Sequence, residues 1–379
     1  MEPRGRNFAF SRLYEVCKNL VAFARALRYP CERRRASGVI LPCSMKTLNE
    51  PFSKLSMRRR YEVWFLRLGL ADGIGAWWFR YLLSSPGRNE CGSESLQQPV
   101  QVWATWFPRE EKTQSWIQGF PLQDFRLSPR RASPLLFEAG ENRIGENECR
   151  GRLEVDGHCI RWDLRYRSTF RMELSSKGWI GFSRTPHSDA IFSGEITLDN
   201  RSFRGEPLAY GMQGHNCGYR HRKFWTWTHL HFPRANGSSS TFEALAYEMP
   251  WGRGFRRAVL WHEGQKYDFR HFSELWRDQR HLIWSMHCPN SKFALVHVEV
   301  RGREGLVHRL PYLKTDCSGQ FEVANDSLAI ARMALRLPRR GAEELTTDSG
   351  AVLEMADTDS LSFPQALTPR NWTTCGPMG

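Results

Sequence analysis

The sequence predicts an all-β protein of two consecutive antiparallel β-barrels, and three observations carry that expectation. Apolar and polar residues alternate with period two through most of residues 60–355. Turn residues punctuate the pattern about every 8–15 positions, the spacing of barrels or sandwiches. Helical periodicity is scarce over the same span, which has room for two barrels of roughly 145 residues each.

The elements follow in order. Glu62, Trp64, Leu66 and Leu68 alternate with Tyr61, Val63, Phe65 and Arg67, and further strands are expected at Ala76–Leu83 and Val100–Phe107. Ile160–Arg167 has a dry face of Ile160, Trp162, Leu164 and Tyr166 and a wet face of Arg161, Asp163, Arg165 and Arg167. It follows Arg152–Val155 across Asp156-Gly157, a strong hairpin signal. Asp199-Asn200 joins Ile191–Leu198 to Ser202–Phe203 in the same way. Beyond them, Phe224–Phe232, Thr241–Met249, Ala258–His262, Tyr267–Phe272, Leu282–Cys288 and Phe293–Val300 read as strands. Glu263-Gly264-Gln265 and Pro289-Asn290-Ser291 are the turns between neighbours.

The chain divides into a basic arm over 1–59, barrels over 60–210 and 211–356, and a Ser/Thr/Pro-rich tail over 357–379 that is expected to be disordered. Residues 1–60 hold 14 Lys/Arg against 4 Asp/Glu, so ten of the fourteen net positive charges lie there. The rest of the chain is nearly neutral and gives no ground for a nucleic-acid-binding body. The arm could lie as a basic amphipathic helix on an anionic membrane surface, could be a solvated tail, or could precede a start at Met45 or Met57. Residues 1–56 are accordingly expected to be dispensable for folding. Tyr14–Leu27 is interrupted by Glu15, Lys18 and Arg25, so no secretory leader is expected. None of the ten cysteines forms a Cys-x-x-Cys pair, which removes zinc-ribbon and thioredoxin readings and points to reduced thiols in the cytoplasm. Nucleotide-binding, zincin and hydrolase-elbow motifs are absent, and no cofactor is expected.

The functional signal lies in Gly211–Phe232, where a glycine-punctuated bend presents His215 and Asn216 ahead of the aromatic strand Phe224-Trp225-Thr226-Trp227-Thr228-His229-Leu230-His231-Phe232. The stretch resembles the tocopherol cyclase and hydroxyneurosporene synthase (carotenoid hydratase) superfamily, marked by a His-Asn/Gln-Trp-Gly bend before a Trp-x-Trp strand. Gly194–Asp199 is similar to the hairpin preceding that bend. Cys217 departs from the pattern, standing where the family carries tryptophan. The resemblance covers roughly 60–355 and implies two lipocalin-like (calycin-type) barrels around an apolar cavity. It implies, too, a cyclase or hydratase acting on an isoprenoid or polyene. A non-catalytic carrier of a lipid or pigment would present the same cavity, and a cupin-like metal enzyme is the third reading.

Protonating a carbon–carbon double bond needs an acid held neutral near pH 7, which a carboxyl in an apolar pocket provides. Pairing Phe224–Phe232 with Thr241–Met249 symmetrically about Pro233–Ser240 sets Trp225 opposite Glu248, Trp227 opposite Ala246, His229 opposite Ala244 and His231 opposite Phe242. Glu248 is then the first candidate acid and Glu243 the second, although a strand-end carboxylate can equally point into water. His215 could hold a substrate oxygen or orient the carboxyl, or could satisfy backbone groups in the bend. Asn216, Trp225, Trp227, His229 and Glu243 are the expected ligand-binding residues. His229 and His231 form a His-x-His pair that could take His215, His262 or Glu248 as a third metal ligand. No acidic residue adjoins the pair in sequence, so no metal is expected. The expected partner is an apolar small molecule, with peripheral membrane contact through the arm as the one addition.

Overall fold

A computed structural model describes residues 48–51, 60–85, 99–127, 135–176, 181–233, 239–248, 254–289, 294–315, 320–338 and 341–357. Most of the basic arm, the tail beyond Asp357, Met249 and the turn around Asn290 lie outside the described residues. Two antiparallel sheets make up the structure, and the one helical element among the described residues is a 3-10 turn at Leu122–Asp124.

The first sheet comprises β1 (Arg60–Leu70), β2 (Gly75–Ser85), β3 (Val100–Pro108), β4 (Gln114–Phe120), β5 (Phe125–Arg126) and β6 (Leu135–Ala139). It continues with β7 (Asn142–Gly145), β8 (Glu148–Val155), β9 (His158–Arg167), β10 (Met172–Ser176), β11 (Gly181–Leu198) and β12 (Arg201–Gly218). Its spatial order is β4-β3-β2-β1-β12-β11-β9-β8-β7-β6-β5, with β10 on β11. The Gln118 side chain on β4 accepts the Glu154 amide on β8 at 3.3 Å, which brings the sheet round into a nearly closed barrel. The predicted hairpin turns take the required left-handed backbone: Asp156 and Gly157 have φ of 53° and 80°.

The second sheet holds β13 (Phe224–Pro233), β14 (Ser239–Glu248), β15 (Gly254–His262), β16 (Gln265–Phe269) and β17 (Ser273–Asp278). With them are β18 (Ile283–Pro289), β19 (Leu295–Arg301), β20 (His308–Leu313), β21 (Gln320–Arg336) and β22 (Ala342–Asp357). The order is β16-β15-β14-β13-β22-β21-β19-β18-β17, with β20 on β21. β12 stays paired with β1 through Gly218, so the chain passes between the sheets at 219–223. The expected boundary at 210/211 falls inside this strand.

Strand parity sorts the side chains into three layers. Trp64, Leu66 and Leu68 point into the first barrel, whose interior is filled by rings such as Trp77 against Trp106 (centroids 5.0 Å apart) and Phe79 against Trp162 (4.6 Å). Leu230, Phe232, Phe242 and Ala244 fill the second barrel. The opposite faces of β1 and β13 are also dry: Val63 and Phe65 pack with Trp227, Leu245 and Val352 in a third cluster where the barrels meet. Buried arginines stitch this seam. Arg67 donates to the carbonyls of Ser327 (3.1 Å from Nε), Ser349 and Ala351 (3.2 Å). Arg303 pairs with Asp326 (2.9 Å) and donates to the carbonyls of Pro108 and Arg109.

Residues 48–51, which the sequence reading places in the dispensable arm, pack against the first barrel. Asn49 is fully buried, its side-chain oxygen accepting from Gln213 (3.0 Å) and its carbonyl from the Trp64 indole (3.4 Å). The segment caps one end of the first barrel by meeting buried donors that would otherwise be unpaired.

Candidate functional site

The β13–β14 pairing differs from the symmetric register by one residue. Trp225 lies opposite Tyr247, Trp227 opposite Leu245, His229 opposite Glu243 and His231 opposite Thr241. Side chains alternate with period two, so this slip exchanges the faces. Glu243 joins the tryptophan face, while Glu248 ends the strand exposed, opposite Gly254. The buried surroundings that Glu248 needs as a proton donor are therefore missing, because it stands exposed at the strand end on the face opposite to Leu245 and Tyr247, which line the seam.

Glu243 is buried and fully partnered. Trp227 Nε1–H donates to its Oε1 at 2.8 Å, and the Thr185 hydroxyl of the first barrel donates to its Oε2 at 2.7 Å. Loss of hydration on burial pushes its carboxyl up to about 7, against the pull of these two hydrogen bonds.

A cavity of about 540 Å³ opens where the outer faces of the two barrels meet. The first barrel supplies Tyr61, Val63 and Phe65 from β1, Trp78 and Arg80 from β2, and Asn216 from β12. From the second come Trp225 and Trp227 on β13, Leu245 and Tyr247 on β14, Tyr312 on β20 and Glu354 on β22. His221 enters from the connection between the sheets and stacks on Tyr61, centroids 4.3 Å apart and planes within 9°. Apolar walls with a few convergent polar groups are the general form of a small-molecule site.

Each polar group has a distinct environment. Glu354 is buried; its Oε1 accepts from Trp225 Nε1–H at 2.8 Å and its Oε2 from the Tyr312 hydroxyl at 3.2 Å. Burial raises its pKa above the usual carboxylate range, opposed by the Trp225 bond and the nearby Arg80 charge. Burial pushes His221 down to about 3, so its ring is neutral, and its Nδ1 has no hydrogen-bond partner. Asn216 Oδ1 is likewise unpartnered. Such an arrangement can hold an unsaturated apolar body, present one buried carboxyl of raised pKa to it and orient a polar substituent or a water.

The other expected residues lie outside this cavity. His215 points into the first barrel, stacked on Trp64, with Nδ1–H donating to the Leu48 carbonyl (3.0 Å) and Nε2 bonded to Glu62 (2.9 Å). It anchors the capping segment, and Phe182 packs edge-on against it. His229 Nε2–H donates to the Ser188 carbonyl at 2.8 Å, and His231 stacks on Tyr210. Among the described residues no three metal-ligating side chains converge, around this pair or elsewhere. Asn216, Trp225 and Trp227 do line the cavity. The sequence reading missed Arg80, His221, Tyr312 and Glu354. Two carried a signal: Arg80 interrupts Trp77-Trp78-Phe79-Arg80-Tyr81, and Glu354 is the lone charge within Ala351–Ala356.

No protein-family model matches the chain, and no curated protein matches it in sequence. Solved structures match it in fold. CghA aligns with TM-score 0.52 and 10% identity over 82% of this chain and 91% of its own. Kievitone hydratase from Nectria haematococca aligns with TM-score 0.50 and 11% identity over 83% and 93%. An AttH protein from Nitrosomonas europaea gives 0.49 and 11% over 85% and 100%. At this identity the likeness is one of fold. The chain thus shares with CghA and kievitone hydratase a fold of two consecutive lipocalin-like antiparallel barrels, the architecture implied by the resemblance of Gly211–Phe232 to the tocopherol cyclase and carotenoid hydratase superfamily.

Proposed function

We propose that this chain is an enzyme of the hydratase (lyase) or cyclase type. Its substrate is an unsaturated apolar molecule, an isoprenoid or polyene, held between the two barrels. The observation that carries the reading is Glu354, a buried carboxyl on a cavity wall rich in aromatic rings, its pKa raised by desolvation. In this reading Glu354 protonates a carbon–carbon double bond. The faces of Trp78, Trp225 and Tyr61 stabilise the cationic carbon, by about 2 kcal/mol for a desolvated ring. His221 Nδ1 and Asn216 Oδ1 accept hydrogen bonds from the water that adds, or from a hydroxyl already on the substrate. Water capture, with one water proton returned to the Glu354 carboxylate, gives a hydrated product, whereas attack by a second double bond closes a ring and leaves a cation that loses a neighbouring C–H proton to the same carboxylate. The hydratase named among the structures of like fold supports the reaction class.

The first test is native mass spectrometry of the purified protein, to identify a co-purifying apolar molecule, followed by turnover of that molecule in heavy-oxygen water. Glu354→Gln keeps the volume and removes the acid. It is expected to retain the ligand and lose 10²–10⁴-fold in rate, the usual worth of a general acid. Activity intact in that variant would exclude Glu354 as the acid. Binding without turnover in either protein is the outcome the carrier reading expects.

A further inference from the structure

Arg80 is a cavity residue that the acid chemistry leaves unused. Of the three arginines that line the cavity it is the most buried, Arg220 being exposed and Arg222 half-buried. It sits on the outward face of β2 between Trp78 and Leu82, where alternation on an isolated barrel would expose it to water, yet only 6% of its surface is accessible. Its guanidinium carbon lies 4.1 Å from the ring centre of Tyr312 and 4.6 Å from that of Trp103. Nη1 is buried without a hydrogen-bond partner, and the group forms no ion pair among the described residues. Two other arginines of the seam are better compensated, although Arg67 too has an unpartnered Nη1. Arg303 is neutralised by Asp326, and Arg67 is bonded to three carbonyls. Glu354, the carboxyl on the facing wall, has both oxygens engaged by Trp225 and Tyr312.

A buried cation is costly to keep when no carboxylate bonds it directly, since ring faces supply about 2 kcal/mol against a desolvation penalty of several and Glu354 acts on it only from a distance. An anionic oxygen from a ligand would complete it, because a planar guanidinium with free N–H groups binds carboxylates and enolates with directed hydrogen bonds. Strand register places this cation away from Asn216, one of the two other unpaired groups of the cavity. Arg80 lies opposite Phe65 on β1, while Asn216 lies opposite Val63 from the other side of β1. The two are two strand spacings and two residues apart, on the order of 12 Å, with the aromatic wall between them.

We infer that the ligand of this cavity is an amphiphile, an apolar unsaturated body ending in a carboxylate or enolate that pairs with Arg80. The inference rests on the reading of the inter-barrel cavity as a small-molecule site, but not on the identity of the acid. All-trans-retinoate and all-trans-retinol are suitable probes, since they share a polyene body and differ in the charge of one end. Binding is read at pH 8 by quenching of tryptophan fluorescence. The full chain is expected to bind retinoate at least tenfold more tightly than retinol. Arg80→Gln is expected to abolish that preference, the loss falling on retinoate, and Arg80→Lys to keep part of it. Retained retinol binding also shows that each variant is folded. Equal affinity for the two probes in the unmodified protein would overturn the anionic end group, and a preference that survives Arg80→Gln would overturn its pairing with Arg80 in favour of Arg220 or Arg222, which also line the cavity; either result leaves the cavity reading standing. Failure of both probes to bind would overturn the cavity reading and this inference with it.

Discussion

Trp227 and Glu243 are diagonal neighbours on adjacent strands, joined by a 2.8 Å hydrogen bond from the indole N–H to the carboxyl. With Thr185 on the other oxygen, one side chain ties β13 and β14 to the first barrel. Burial holds the carboxyl near 7 from an ordinary value of 4.5. The folded state therefore retains a proton that the unfolded chain releases above about 4.5, so this group's contribution to stability is full below that pH and is lost as pH rises through about 7. Glu243→Gln removes the titration. Urea unfolding at pH 5, 6, 7 and 8 should show the variant gaining on the parent as pH rises, by roughly 3 kcal/mol at most at about 1.4 kcal/mol per pKa unit. A constant difference between the two proteins would show that the carboxyl titrates normally.

The capping segment gives a second expectation. A chain beginning at Met57 lacks Leu48 and Asn49, which leaves His215 Nδ1, Gln213 Nε2 and the Trp64 indole without these acceptors. Each buried polar group left unpaired costs about 1–3 kcal/mol. Its melting temperature should fall by several degrees relative to a chain beginning at Met45, which keeps the segment. Asn49→Ala should give a smaller fall. Equal melting temperatures for the two truncations would mean that water replaces the cap without loss.

The fold was legible because its two main signals are local. Period-two alternation marks a strand, and Asp156-Gly157 marks its turn, with no knowledge of what lies across the sheet. The register of β13 on β14 was not, because alternation fixes register only when one face is wet. Here Trp227, His229 and His231 are as dry as Leu230 and Phe232, and a shift of one residue changes nothing visible in the pattern. The site was harder still. Arg80, Tyr312 and Glu354 come from strands up to 274 positions apart, and only the docking of one barrel on the other brings them to one cavity.

That docking can be weakened at one side chain. Arg67→Met removes a guanidinium bonded to the carbonyls of Ser327, Ser349 and Ala351, and an aliphatic chain cannot satisfy them. Burial already lowers this arginine to about 9, in spite of Asp326 nearby. Breaking a buried charged contact of this kind typically costs 3–5 kcal/mol, and denaturant unfolding should show a loss of that size. Arg332→Ala, which removes an exposed arginine paired with Glu344, should leave the midpoint unchanged. A similar loss in both variants would mean that the effect is not specific to the seam.

Acid should loosen the same seam through its histidines. His229 and His231 are almost wholly inaccessible on the outward face of β13, and burial lowers them to about 3 and about 4. The fixed charge of Arg67 acts in the same direction on both. A lowered histidine excludes a proton that the unfolded chain binds below about 6.5. Its contribution to stability is thus full above that pH and is lost as pH falls toward the folded value. Two such groups give a slope of about 1.4 kcal/mol per pH unit each, and Glu243 opposes them with one proton over part of the range. Stability from urea unfolding should therefore decline between pH 6.5 and 4.5. In His231→Gln the slope should shrink by about one proton, even though the variant also loses its stacking on Tyr210. Proton linkage is read from the slope and packing loss from the offset, so the two effects separate. An unaltered slope would show that His231 carries its proton in the folded state.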